Sequence, residues 1–132
     1  MTGAPRLLLD ERIRADGQVA RSWARRGADR LALEDDEGAS GELSIVAVDR
    51  VMTRYGRPLE PGIAPDGDRL ELDGGFALVR MRFHALVDAT GRDYLVWHRP
   101  DGEPLAVLAT HATAALRYLT LRLAGERGVD PG

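Results

Sequence analysis

The chain contains no cysteine, no lysine and no asparagine, and aromatic residues make up only 5% of its 132 positions. Without cysteine it can form no disulfide, thiolate zinc site, iron–sulfur cluster or cysteine nucleophile. No apolar run approaches the roughly 20 residues that cross a bilayer as a helix, because the candidates are broken by Arg, Asp or Gly. Near the start, Leu7 to Leu9 meets Asp10, Glu11 and Arg12 at once, which is not the order of a secretion signal. A soluble cytoplasmic protein is therefore expected. The two missing residue types with AT-rich codons, set beside abundant Arg, Ala, Gly and Pro, point to a GC-rich bacterial genome. One physical consequence follows: every one of the 18 basic side chains is a planar guanidinium, able to pair bidentately or to stack.

Apolar residues make up 44% of the chain, enough at this length for one core and a single domain over 1–132, with a flexible tail at about 126–132. The net charge of −3 is unevenly spread, with seven arginines against four acids in residues 1–30 and three against eight in residues 31–66. Within the basic start, Arg21, Trp23, Arg25 and Arg26 place an aromatic among guanidinium groups, a pattern that can stack on a base while meeting phosphates. The plainer reading makes Trp23 the anchor of an amphipathic segment and the arginines its wet edge, so nucleic acid is not the expected partner. The acid run Glu34, Asp35, Asp36, Glu37 lacks the alternating spacing and central Gly of a calcium loop and reads as solvated.

Asp-Gly pairs at 16–17, 66–67, 73–74 and 101–102 mark tight turns. Before residue 34 the pattern is ambiguous: residues 7–13 and 18–23 can flank the first turn as a hairpin, but a helix over Gln18–Arg26 ending at Gly27 is slightly favoured. A short strand is expected at 30–34 and a polar loop at 35–42. Ile45, Val48, Met52 and Tyr55 form a helical stripe, predicting a helix over about 43–55 capped by Ser40 and ended by Gly56, with a buried strand at 43–48 as the competitor. Period-two alternation then predicts an antiparallel meander of about four strands at 69–73, 76–88, 93–99 and 104–109. A last helix over about 110–124, capped by Thr110, completes an α+β architecture in which helices pack on the sheet.

One constellation stands out. If Leu95 and Trp97 lie opposite Ala85 and Phe83, then Arg82 faces His98 and His84 faces Val96, which sets Arg80, Arg82, His84, Tyr94 and His98 on one half-apolar sheet face. Two arginines in parallel on a strand suit two oxygens of an anion, and a neighbouring histidine can donate to it or move a proton. A face rich in Tyr and Arg also resembles an interface core. The histidines at 84, 98 and 111 lack a carboxylate at ligand spacing, Gly-x-Ser-x-Gly is absent, and so are a phosphate loop and a dinucleotide fingerprint. No metal, cofactor or catalytic residue is expected. The expected function is that of a small non-enzymatic binding or accessory protein, using this face to meet a second copy (a homodimer) or another protein. The alternative is a small enzyme or metabolite-binding protein that holds an anion with Arg80 and Arg82 and transfers a proton through His84 or His98.

Overall fold

The computed structural model describes residues 6–27, 29–36, 40–59, 62–63, 67–84 and 91–129. In chain order they form β1 (Arg6–Ile13), β2 (Val19–Arg26), β3 (Arg30–Asp35), β4 (Ser40–Ser44), α1 (Ile45–Tyr55), β5 (Arg57–Pro58), β6 (Asp68–Glu71), β7 (Ala77–His84), β8 (Gly91–His98), β9 (Leu105–Leu108) and α2 (Ala109–Val129). Two antiparallel sheets result, a four-stranded meander β1-β2-β3-β4 and a five-stranded sheet in the order β5-β9-β8-β7-β6. The expected α+β class and the four-stranded meander over β6 to β9 are both present. No helix among the described residues is long and apolar enough to cross a membrane.

The first third of the chain departs from the favoured helix at 18–26 and forms the hairpin instead. Its alternation explains why: Ala20, Ser22 and Ala24 are buried while Arg21, Trp23 and Arg25 turn outward, a period of two rather than 3.6. As a helix the segment has only small residues to bury, whereas beside β1 it completes a face that includes Leu7 and Leu9. The turn is closed by Gly17, whose φ of 84° suits glycine, and by a 3.0 Å hydrogen bond from the Gln18 amide to Asp16 Oδ1.

Residues 43–55 divide between the two competing readings. Ser40–Ser44 pairs with β3, and the helix begins only at Ile45. Its cap is therefore Ser44, not Ser40: Ser44 Oγ accepts from the Ala47 amide at 3.1 Å. Gly56 does end the helix, with its amide bonded to Met52 O at 2.8 Å. A side chain there would collide with that carbonyl and come within 2.8 Å of Leu105 Cβ, so glycine lets the chain turn against β9. At the other end of the molecule α2 starts at Ala109, which puts Thr110 inside its first turn rather than at the cap. The helix also runs beyond the expected stop at 124, through Gly125 to Val129.

Between β7 and β8 the register is displaced by five residues from the expectation. Leu78 lies opposite Trp97, Arg80 opposite Leu95, Arg82 opposite Asp93 and His84 opposite Gly91. The slide matches like with like: the apolar half of β7 (77–79) meets the apolar half of β8 (95–97), and an Arg meets an Asp. The expected register would have set Trp97 beside the charged half instead. Because the slip is odd, it also exchanges faces. Leu78 therefore joins Leu95, Trp97, Leu105 and Val107 in the main core, while Ala77, Val79 and Val96 are buried on the other side of the sheet. Residues 85–88 of the expected strand lie outside the described residues. The core cluster also takes Leu9, Leu31 and Leu43 from the first sheet, Val48 and Met52 from α1, and Ala112 and Leu116 from α2.

Candidate functional site

The five residues expected to share a face do not. Arg80 and Arg82 project on the main-core side of the sheet, at its charged end, whereas Tyr94 and His98 occupy the opposite side. His84 pairs with Gly91 through its backbone, and its side chain lies outside the described residues. Both arginines are taken by one carboxylate, that of Asp93. Arg80 Nη2 reaches Asp93 Oδ2 at 2.5 Å, and Arg82 donates from Nε to Oδ1 at 2.8 Å and from Nη2 to Oδ2 at 3.3 Å. The Arg82 hydrogen bonds, aided by both positive charges, hold the Asp93 carboxyl below the ordinary carboxylate range against the opposing effect of its partial burial. Nearby Asp10 shifts the other way, because burial disfavours its charge more than the Glu11 backbone amide and the Arg12, Arg80 and Arg117 charges favour it. On the far side of the sheet His98 Nδ1 lies 3.1 Å from Arg69 Nη2. A guanidinium only donates, so in this contact His98 Nδ1 is the acceptor.

The basic stretch of β2 is similarly engaged. Arg21 Nε pairs with Glu11 at 3.1 Å, Arg25 with Glu34 at 2.7 Å, and Arg26 with Asp73. Trp23 carries the Arg6 guanidinium 3.9 Å above its ring, and its indole N–H points to Asp36 at 3.4 Å. Asp35 pairs with Arg117 of α2 at 3.4 Å. The acid run is thus less a solvated loop than a counter-charge: Glu34, Asp35 and Asp36 all meet cations or donors, while Glu37 lies outside the described residues. Among the described residues no three His, Asp or Glu side chains gather as metal ligands.

The helical layer is different. Segments 45–55 and 109–123 contain a single acid between them, Asp49, and it is turned inward, where its Oδ1 accepts from the buried Trp97 indole at 2.8 Å. What faces outward is Tyr55, Tyr118, Leu121 and Val46, with Arg50, Arg54 and Arg122 among them. Tyr118 is 68% exposed and Leu121 72%, high values for side chains of this size. Two grooves flank Tyr55 and Tyr118. One, of about 720 Å³, runs over Ala106, Val107, Ala114 and Ala115 toward Tyr94, His111 and Arg57. The other, of about 480 Å³, lies between α1 and α2, beside Arg50, Arg54, Leu119 and Arg122. Among the described residues no carboxylate lines either groove. Arg50, Arg54 and Arg57 make no ion pair among the described residues; Arg54 rests 5.6 Å from the Tyr55 ring centre. Of the four expected site residues whose side chains are described, Tyr94 alone lines either groove.

Sequence reasoning missed this surface because the helical stripes were read for their inner faces. The available signal was the near-absence of acid from two amphipathic segments in a chain with net negative charge. Comparison with protein-family models, with curated proteins and with solved structures gives no match to this chain.

Proposed function

We propose that this chain is a small non-enzymatic binding or accessory protein that meets a protein partner through its helical layer rather than through the strand face around Arg80 and Arg82. The observation that carries this reading is the outward face of α1 and α2, where Tyr55, Tyr118 and Leu121 stand exposed among arginines and, among the described residues, no carboxylate lines the adjoining grooves. Tyr and Arg are the residue types most often found to dominate interface energetics, and exposed aromatics beside grooves are natural anchors. The cysteine-free, lysine-free composition supports a cytoplasmic setting in a bacterium of GC-rich genome.

The anion-holding reading of Arg80 and Arg82 draws less support. Asp93 occupies donors of both guanidinium groups, and His98 sits on the opposite side of the sheet. What favours it is Arg80 Nε, buried and without a partner.

The test is complex formation from native extract, followed by light scattering, with Tyr118→Glu and Arg82→Ala side by side. The proposal predicts a complex that Tyr118→Glu abolishes and Arg82→Ala preserves. A monomer that recovers nothing, or a complex lost only in Arg82→Ala, overturns it.

A further inference from the structure

Resting on that reading, we infer that the partner segment is acidic: a protein helix whose apolar anchors enter the two grooves beside Tyr118 and whose Glu or Asp side chains meet Arg50 and Arg54. Three observations converge on this occupant. First, residues 45–55 and 109–123 hold four arginines against one acid, the inward-turned Asp49, in a chain whose net charge is −3, so the local sign of these segments opposes that of the whole molecule. Second, Arg50 and Arg54 stand one turn apart on α1, about 6 Å along its axis, the spacing at which acids four residues apart on an apposed helix present themselves. Third, the lining of the wider groove includes the small residues Ala106, Ala114 and Ala115 beside Tyr118, which leaves room for a bulky apolar side chain.

A second copy of this chain fits less well. A two-fold contact through this face would set Arg50 and Arg54 against their own duplicates. Glu34, Asp35 and Asp36 offer a head-to-tail contact no free charge, because they already engage Arg25, Arg117 and Trp23 within the chain. An anionic membrane shares the charge preference but not the shape, because two concave grooves either side of a tyrosine ridge leave the apolar floor out of reach of a flat surface.

The experiment uses the full chain, isotopically labelled, titrated in turn with a synthetic helical peptide of Glu, Leu and Phe, with its counterpart bearing Gln for every Glu, and with anionic phospholipid vesicles. The expected result is amide shifts confined to residues 45–57 and 106–123 with the acidic peptide, and affinity lower by roughly tenfold or more for the Gln peptide. Arg50→Glu with Arg54→Glu, both exposed and therefore tolerated by the fold, should weaken the acidic peptide by a similar factor. Equal binding of both peptides on the helical face would overturn the acidic inference and leave the docking surface standing. Binding of vesicles in preference to the acidic peptide would overturn it in favour of a membrane. No shift on the helical face with any probe would overturn the inference and the functional reading beneath it together.

Discussion

Two sets of arginines in this molecule differ in one respect. Those on the outer side of the first sheet, and those at the charged end of the second, each have a carboxylate at hand: Arg21 has Glu11, Arg25 has Glu34, and Arg80 and Arg82 share Asp93. Arg50 and Arg54 on α1 make no ion pair among the described residues, and Asp49 beside them is drawn inward by Trp97. The same residue type therefore does two things. On the sheets it closes pairs within the chain; on α1, at Arg50 and Arg54, it leaves charge near exposed Tyr55, available to another molecule. An arginine carries information about binding only once its neighbours are known.

The largest way to break the comparison is through the core that carries both regions. Trp97→Ala removes the central aromatic, its stacking on Phe76 at a 5.2 Å centroid distance, and the anchor of Asp49; it should cost about 3–5 kcal/mol in chemical denaturation. Asp49→Ala keeps the core volume but strands the buried indole donor, and about 1–3 kcal/mol is expected on the same assay. A loss below that range would mean that the inward turn of Asp49 matters little. Asp93→Asn tests the sheet arginines through pH. The Asp93 carboxyl titrates below its unfolded value, so its contribution to stability is present above about pH 4 and fades as pH falls through the folded value. The wild type should therefore lose more stability than Asp93→Asn on acidification; parallel acid limbs would show that the pairing contributes nothing. With its side chain 24% exposed, the effect is modest. The smallest stability change is expected for Arg50→Glu with Arg54→Glu, within about 0.5 kcal/mol per site, because both side chains are solvated.

Much of the fold was legible because its pattern is local. Leu70, Leu78, Leu95 and Trp97 were each assigned to strands by simple alternation, Gly17 and Gly74 marked turns by their Asp-Gly pairs, and Val48, Met52 and Leu116 were placed on inner helical faces. The rest depended on partners distant in sequence. Ala20 and Ala24 fit a helix or a strand equally well until Leu7 and Leu9 lie beside them. The register of β7 on β8 was read from Trp97 and Leu95 alone, without weighing what Asp93 would meet; its carboxylate belongs opposite Arg82, and that pairing moved Tyr94 and His98 away from the arginines. Nor could a sequence pattern reveal that Asp49 would turn inward to the Trp97 indole, away from Arg50 and Arg54.

The most direct test of this contrast is a single titration of the Glu, Leu and Phe peptide into wild type, Arg50→Glu with Arg54→Glu, and Arg82→Ala. The account predicts binding retained in Arg82→Ala and weakened by roughly tenfold or more in the helical variant. Binding lost in Arg82→Ala and unchanged in the helical variant would contradict it.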